Sequence, residues 1–289
     1  MNYLLFNPLD DNNSGNESAA KAADFLKPRF PGLQVLNIVD TDIPKLIAHL
    51  TGKDLVIILG GDGTLNHLIN RFDPSILPCP FYCYPNGTGN DFLNDVREKL
   101  NPETNLVRIN EYLSSLPTIE VNGMKKRFLN GIGFGIDGEC CKVAEDMKKE
   151  QQKTGKKRKI DYGKITVHLL LTSYKPRTCT VTINGETHTF PKTYLASCMN
   201  GRYYGGGMMI APSQKRGTHF LTSVVIHGKG RLGTLIQFPS FFKGKHVKYK
   251  KNTSILSGPE MTVRFDKPTS LQIDGEVVEN VLEYKAYAK

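Results

Sequence analysis

The chain has 289 residues, of which 39% are hydrophobic and 23% charged, with a formal net charge of +10 at neutral pH. These proportions exclude a fibrous or disordered chain, and the length suits two domains. The longest apolar runs, Leu55 to Leu59 and Ile165 to Leu171, fall far short of the roughly 20 residues that a membrane-spanning helix needs.

Met1 to Pro8 carries no basic leader and no small-residue cleavage site, so it reads as a first strand, and a cytoplasmic location is expected. Tyr3 to Phe6 is that strand. Ala19, Ala20, Ala22, Ala23, Phe25 and Leu26 then mark a helix that stops before Pro28. A strand follows at Gln34 to Val39, a helix at Ile43 to Leu50, a strand at Leu55 to Leu59, a helix at Leu65 to Phe72, a strand at Phe81 to Tyr84, and a helix from Asp91 onward. Such alternation predicts an α/β domain with a parallel sheet over residues 1–116.

After Pro117 the texture changes to short β-rich runs bounded by Gly, Asn and Pro: Thr118 to Val121, Arg127 to Leu129, Thr178 to Ile183, Thr193 to Met199, Phe220 to Ile226, Met261 to Phe265, Leu271 to Ile273 and Val281 to Ala286. An all-β sandwich is expected over residues 117–289, with one helical interruption at Asp161 to Ser173 and with the C-terminal segment returning to the first domain. The six cysteines contain no Cys-x-x-Cys pair, and no histidine stands at ligand spacing beside them, so reduced thiols are expected instead of a zinc site.

The positive charge favours an anionic partner, whether nucleic acid, an acidic membrane or a polyphosphate, and charge alone does not choose among them. Much of it lies in two runs, Lys148 to Lys159 and Lys243 to Lys251. Each run by itself reads as a solvated loop; together they suit a membrane-facing patch.

The most informative segment is Leu59-Gly60-Gly61-Asp62-Gly63-Thr64-Leu65-Asn66, where a buried strand enters three glycines around an aspartate and then an amphipathic helix. Glycine lets the backbone approach a ligand closely, and a helix N-terminus presents N–H groups to phosphate. Asp62 has the wrong charge to touch phosphate, so it is expected to hold magnesium through water or to orient the attacking hydroxyl. A tight turn with Asp62 or Thr64 as N-cap fits the same residues. Neither G-x-x-x-x-G-K-[ST] nor a fitting G-x-G-x-x-G is present, which argues against Walker-type and dinucleotide-binding folds. A second loop, Pro85-Asn86-Gly87-Thr88-Gly89-Asn90-Asp91-Phe92, repeats the strand, glycine turn and helix start. In a parallel sheet both loops reach one carboxyl edge, where ligands bind.

These two segments resemble the catalytic domain of the diacylglycerol kinase family, in its soluble bacterial branch of lipid kinases related to NAD kinases. Asn7-Pro8 with Ser14-Gly15 resembles that family's first phosphate-contacting turn, split here by Leu9 to Asn13. Met199 to Met208 resembles its second-domain glycine-rich segment, and Gln272 to Glu276 the motif carrying its catalytic carboxylate.

The resemblance implies a magnesium- and ATP-dependent lipid kinase with a nucleotide-binding α/β domain and a β-sandwich. Diacylglycerol is the leading acceptor, and contact with an anionic membrane surface is peripheral. Nucleic acid is not an expected partner, and a homodimer is compatible with the reading. Nucleotide contacts are expected at Asn7, Pro8, Thr41, Gly60, Gly61, Asp62, Gly63, Thr64, Asn66, Gly87, Thr88 and Asn90. Glu276, Asp62 and Glu120 carry the implied catalytic roles: Glu276 takes the hydroxyl proton, and Glu120 stands where the family has an aspartate that orders water around magnesium. Asp274 and Glu276 would share a face on an extended strand, although Ile273 to Glu276 also fits a two-residue hairpin turn. Asn130 resembles part of an interdomain cleft. The family's magnesium-binding Asp-Asp-Gly is replaced by Gln214-Lys215-Arg216-Gly217, so carboxylate-held magnesium is not expected there. An NAD kinase-like enzyme and a non-catalytic ATP-binding regulator are the competing readings.

Overall fold

In the computed structural model, which describes residues 1–8, 14–86, 90–155 and 160–289, four parallel strands organise the N-terminal part of the chain. They are β1 (Asn2–Phe6), β2 (Leu33–Asn37), β3 (Leu55–Gly60) and β4 (Phe81–Pro85), joined by a short antiparallel β5 (Val107–Arg108) in the order β2-β1-β3-β4-β5. Helices α1 (Gly15–Leu26), α2 (Ile43–His49), α3 (Asp62–Ile69), α4 (Asp91–Val96) and α5 (Asn110–Ser114) alternate with them. Central β3 is buried continuously from Val56 to Leu59, as expected of a parallel strand covered on both faces. Ala19, Ala22, Ala23 and Leu26 stand at i, i+3, i+4 and i+7 of α1 and press on Leu4, Ile57 and Leu59. Each such large aliphatic side chain contributes about 2 kcal/mol through burial. Helix α3 starts three residues before the sequence-based expectation, inside the glycine loop itself.

Two compact units emerge, the first of Met1–Leu116 with Gly205–Gly207 and the second of Pro117–Tyr204 with Met208–Lys289. The second contains β6 (Thr118–Val121), β7 (Met124–Arg127), β8 (Gly131–Gly135), α6 (Ile136–Thr154), α7 (Tyr162–Leu171), β9 (Arg177–Ile183), β10 (Glu186–Thr193) and β11 (Leu195–Met199). Then come β12 (Tyr203–Tyr204), β13 (Met208–Met209), β14 (Leu221–Ile226), α8 (Arg231–Gln237), 3-10 turns at Phe238–Lys243 and Lys245–Lys248, β15 (Thr253–Gly258), β16 (Glu260–Ile273) and β17 (Glu276–Tyr287).

The main sheet of this unit is antiparallel, ordered β15-β14-β11-β8-β16-β17-β6-β7, with β9 joining β10 to β16. Strand β16 pairs with β9 over Met261–Phe265 and with β8 over Leu271–Ile273, and its register to β17 shifts between those stretches. That change of partner along one long strand produces the sandwich, whose interior holds Phe134, Val181, Val263, Phe265, Ile273 and Tyr284. A second core, including Ile136, Cys140, Ala144, Leu169, Tyr194 and Ile226, forms where helices cover the sheet.

Several expectations change. The C-terminal segment, as β17, pairs with β16 and β6 inside the second unit, and the residues that group with the first unit are Gly205–Gly207. Helix α6 was not foreseen beside the one found at α7: its buried residues Ile136, Gly138, Cys140 and Ala144 are mostly small, and its later turns are charged. Lys148, Lys149 and Lys153 therefore lie on a helix and not in a loop, while residues 156–159 of that basic run lie outside the described residues.

Candidate functional site

In the first unit, parallel β1 to β4 deliver the segments that follow them to one carboxyl edge: Asn7-Pro8, Asn37 to Thr41, Gly60 to Thr64, and Pro85-Asn86. Gly87 and Thr88 lie outside the described residues. The halves of the first turn come together across the Leu9 to Asn13 insertion, because Gly15 packs on Asn7 so closely that a Cβ would stand 2.0 Å from the Asn7 carbonyl. Thr41 donates from Oγ1 to the Asn37 carbonyl at 2.6 Å, closing the end of β2. Gly60 permits the buried Thr64 to sit against the backbone, since a Cβ there would come within 2.5 Å of the Thr64 side chain. Gly61 is the N-cap of α3, and Gly63 is open to solvent. The first turn of α3 leaves backbone N–H groups without intrahelical acceptors at the mouth of this loop. Asn66 is buried one turn further on.

Asp62 neither caps its own helix nor projects alone. Its Oδ2 accepts the Asp91 backbone N–H at 2.7 Å and its Oδ1 accepts that of Phe92 at 2.9 Å, so the carboxylate caps α4 and ties the two glycine loops together. Asn90 is the N-cap residue of α4 by position, without a side-chain capping bond. Buried Asp91 extends the chain of contacts: Gly206 and Gly207 donate their N–H groups to its carboxylate at 2.8 and 2.6 Å. Gly205, Gly206 and Gly207 all have positive φ, a run that only glycine adopts readily.

In the second unit, Ile273 and Glu276 close a two-residue hairpin with Asp274 and Gly275 at φ of 48° and 91°. The shared face expected for Asp274 and Glu276 is therefore absent. Left-handed Asp274 turns its carboxylate back to accept backbone N–H groups of Leu129, Asn130 and Gly131. Glu276 stays half exposed and forms an ion pair with the largely covered Lys126 of β7. Glu120 instead pairs with Lys125 at 2.9 Å and accepts from the Tyr287 hydroxyl. Its bond to Lys125 holds its carboxyl below the ordinary range. Successive strand residues face opposite ways, so Lys125 and Lys126, and with them Glu120 and Glu276, stand on opposite faces of β7. Glu120 and Glu276 are thus each held by a lysine of their own.

Arg216 donates to the Leu129 carbonyl at 2.6 Å and to the Asn130 side chain, and Asn130 is buried. Where two carboxylates were missing from the sequence, a guanidinium thus fastens the segment whose amides hold Asp274. Gln214 is likewise buried, bound to the Phe220 carbonyl and the Thr222 hydroxyl. Among the described residues no group of three or more His, Cys, Asp or Glu side chains could hold a metal.

Lys126, the Asp91–glycine contact and Asp137 were not singled out from sequence. Asp137 had a local signal, the alternating glycines of Gly131-Ile132-Gly133-Phe134-Gly135 immediately before it.

Residues 2–121 match the family described as "Diacylglycerol kinase catalytic domain", and residues 130–283 that described as "YegS C-terminal NAD kinase beta sandwich-like domain". The chain is similar to a protein named diacylglycerol kinase from Mycobacterium tuberculosis, 25% identical over 260 residues that cover 84% of this chain and 79% of that one. A crystal structure described as a diacylglycerol kinase from Bacillus anthracis superposes with a TM-score of 0.67 at 19% identity, covering 99% of this chain and 94% of that one. That likeness concerns the fold.

Proposed function

This chain belongs to the diacylglycerol kinase-like lipid kinase family that joins those two domains, and from that premise we propose that it transfers the γ-phosphate of ATP to a hydroxyl of a membrane lipid. Diacylglycerol is the acceptor to test first, with phosphatidic acid as product. The observation that supports nucleotide binding most is the Asp62 tie, which fastens the Gly60 to Thr64 loop to the start of α4 at the carboxyl edge of the parallel sheet.

In this reading the Gly60 to Thr64 loop and the start of α3 receive the phosphates, with Asn66 and Asn90 behind them and Asn7, Pro8 and Thr41 on the neighbouring strand ends. Magnesium suits such a site because it binds through phosphate oxygens, water and one or two carboxylates. Asp62 would hold it through water, and the ion would neutralise charge on the phosphates. Glu276 accepts the proton of the lipid hydroxyl as that oxygen bonds to the γ-phosphorus and the bond to the β–γ bridging oxygen breaks, releasing ADP. Lys126 positions Glu276. Glu120, paired elsewhere, is assigned no step. Lys243, Lys245, Lys248, Lys250 and Lys251 supply attraction to an anionic membrane surface. No helix among the described residues is long and apolar enough to cross a membrane.

Glu276→Gln tests this assignment. We expect lipid phosphorylation to fall by roughly 100-fold or more while ATP binding by calorimetry is unchanged. Unchanged turnover would remove Glu276 from the mechanism.

A further inference from the structure

One peptide group in the second unit is gripped from both ends by opposite charges. Its carbonyl, that of Leu129, accepts from Arg216 Nη1 at 2.6 Å, and its N–H, that of Asn130, donates to Asp274 Oδ1 at 2.8 Å. The C=O and N–H of a trans peptide point in opposite directions, so a guanidinium and a carboxylate stand at the two poles of a single dipole. Charge-assisted bonds of this kind are roughly twice as strong as neutral ones, and bonds in series polarise one another.

Neighbouring groups complete the grip. Arg216 also donates to the Asn130 side-chain oxygen, and Asp274 also accepts from the N–H groups of Leu129 and Gly131. Asn200 donates from its side chain to the Leu129 carbonyl at 2.8 Å and from its backbone to the Asn130 carbonyl at 2.9 Å. Leu129, Asn130 and Asn200 are buried, so each of these polar groups needs its partner. Asp274 in turn fixes the hairpin: its own N–H donates to the Gly131 carbonyl at 3.0 Å, and the Gly275 N–H donates to Gln272 Oε1 at 2.6 Å. Glu276 is the next residue along.

The family resemblance implies a magnesium ion at the Gln214 to Gly217 segment, and the residues present do not fit one. A hard cation needs several oxygen ligands, carboxylates foremost. Here Lys215 and Arg216 bring positive charge, the Gln214 amide is spent on backbone carbonyls and the Thr222 hydroxyl, and the oxygens of Leu129 and Asn130 already accept from a guanidinium. The cation at this place is part of the chain.

We propose that Arg216 serves as a built-in cation in place of a divalent ion, and that it positions the hairpin bearing Glu276 through the Leu129–Asn130 peptide and Asp274. In this role Arg216 is a positioning residue and touches no reacting atom. Its consequence for turnover rests on the kinase reading and the Glu276 assignment above.

Arg216→Ala tests this, with Arg216→Lys beside it, because lysine keeps the charge but lacks the fork that reaches both oxygens. In both variants kcat for lipid phosphorylation should fall at least about 10-fold with the KM for ATP unchanged. Millimolar methylguanidinium should recover part of that kcat in Arg216→Ala, and extra magnesium should not. Hydrogen exchange without nucleotide supplies a readout independent of activity. The amides of Asn130, Gly131 and Gly275 should exchange about 10-fold faster in Arg216→Ala and slow again with methylguanidinium. In the wild type they should exchange equally in magnesium and in chelator. Should Arg216→Ala not fold, Arg216→Lys carries the kinetic and exchange measurements alone. Full kcat and unchanged exchange in the variants would overturn the positioning role, and protection gained by the wild type on adding magnesium would overturn the built-in cation. The predicted exchange pattern without lipid phosphorylation by the wild type would uphold Arg216 and refute the kinase reading.

Discussion

Asp62 reaches across to cap the helix that begins at Asp91, its Oδ2 accepting the Asp91 N–H at 2.7 Å. A residue in one glycine loop thereby sets the position of the other. Asp62→Asn replaces one acceptor oxygen with an NH₂ donor facing a backbone N–H, so a stability loss of about 1–2 kcal/mol is expected, as for other lost caps. ATP affinity should weaken in the same variant. Denaturant unfolding and nucleotide titration check both, and full retention of both would show that the loops hold their places without the carboxylate.

Lys126 and Glu276 form an ion pair beside the turn of the β16–β17 hairpin. Partly exposed pairs of this kind contribute only about 0–1 kcal/mol, so Lys126→Met should leave the unfolding midpoint nearly unchanged. Phosphoryl transfer should nevertheless fall by about 10-fold or more, because Glu276 loses its orienting partner. A steady-state comparison of kcat with thermal unfolding separates the effects. A large drop in stability with kcat preserved would make the pair purely structural.

The Asp137 carboxyl is raised from 3.8 to about 6, chiefly by burial. The folded protein therefore keeps that proton at pH values where the unfolded chain has already released it. Its contribution to stability is lost as pH rises from about 4 through 6 and stays lost above that. At about 1.4 kcal/mol per unit the effect is at most about 3 kcal/mol, and less because Asp137 retains some solvent contact. Relative to wild type, Asp137→Asn should gain stability at pH 7.5 compared with pH 4.5. Chemical denaturation at both pH values measures this, and a pH-independent difference would contradict the burial argument.

Activity on vesicles should rise with anionic lipid content and fall with added salt, because each lysine near such a surface gains about 1 kcal/mol and the attraction is screened within about 10 Å at 0.1 M salt. Replacing Lys245 and Lys248 together by Gln should flatten both dependences in a vesicle-binding assay. Equal binding to neutral and anionic vesicles would remove the electrostatic part of the account.

The parallel half of the fold was readable because buried runs such as Val56 to Leu59 alternate with helical patterns, and local glycine chemistry marked the turns that follow β3 and β4. The hairpin at Asp274-Gly275 was readable as one of two alternatives, and backbone sign decides it: with φ of 48° Asp274 cannot sit on an extended strand beside Glu276. Long-range partners were not readable. Nothing near Asp62 announces that its acceptors serve Asp91 and Phe92, and nothing near Glu120 distinguishes Lys125 from a catalytic neighbour. Helix α6 escaped notice because its buried stripe uses Cys140 and Ala144 where a larger aliphatic pattern would have been evident.

The most direct measurement is the fate of γ-labelled phosphate when the protein is given ATP, magnesium and, in separate mixed-micelle reactions, diacylglycerol, a polyprenol, phosphatidylglycerol and a sphingoid base, with NAD offered in solution. Label extracted into the organic phase with one of these lipids, and none on NAD, is the predicted result. Label transferred to NAD, or to no acceptor at all, would contradict the assignment of a lipid kinase.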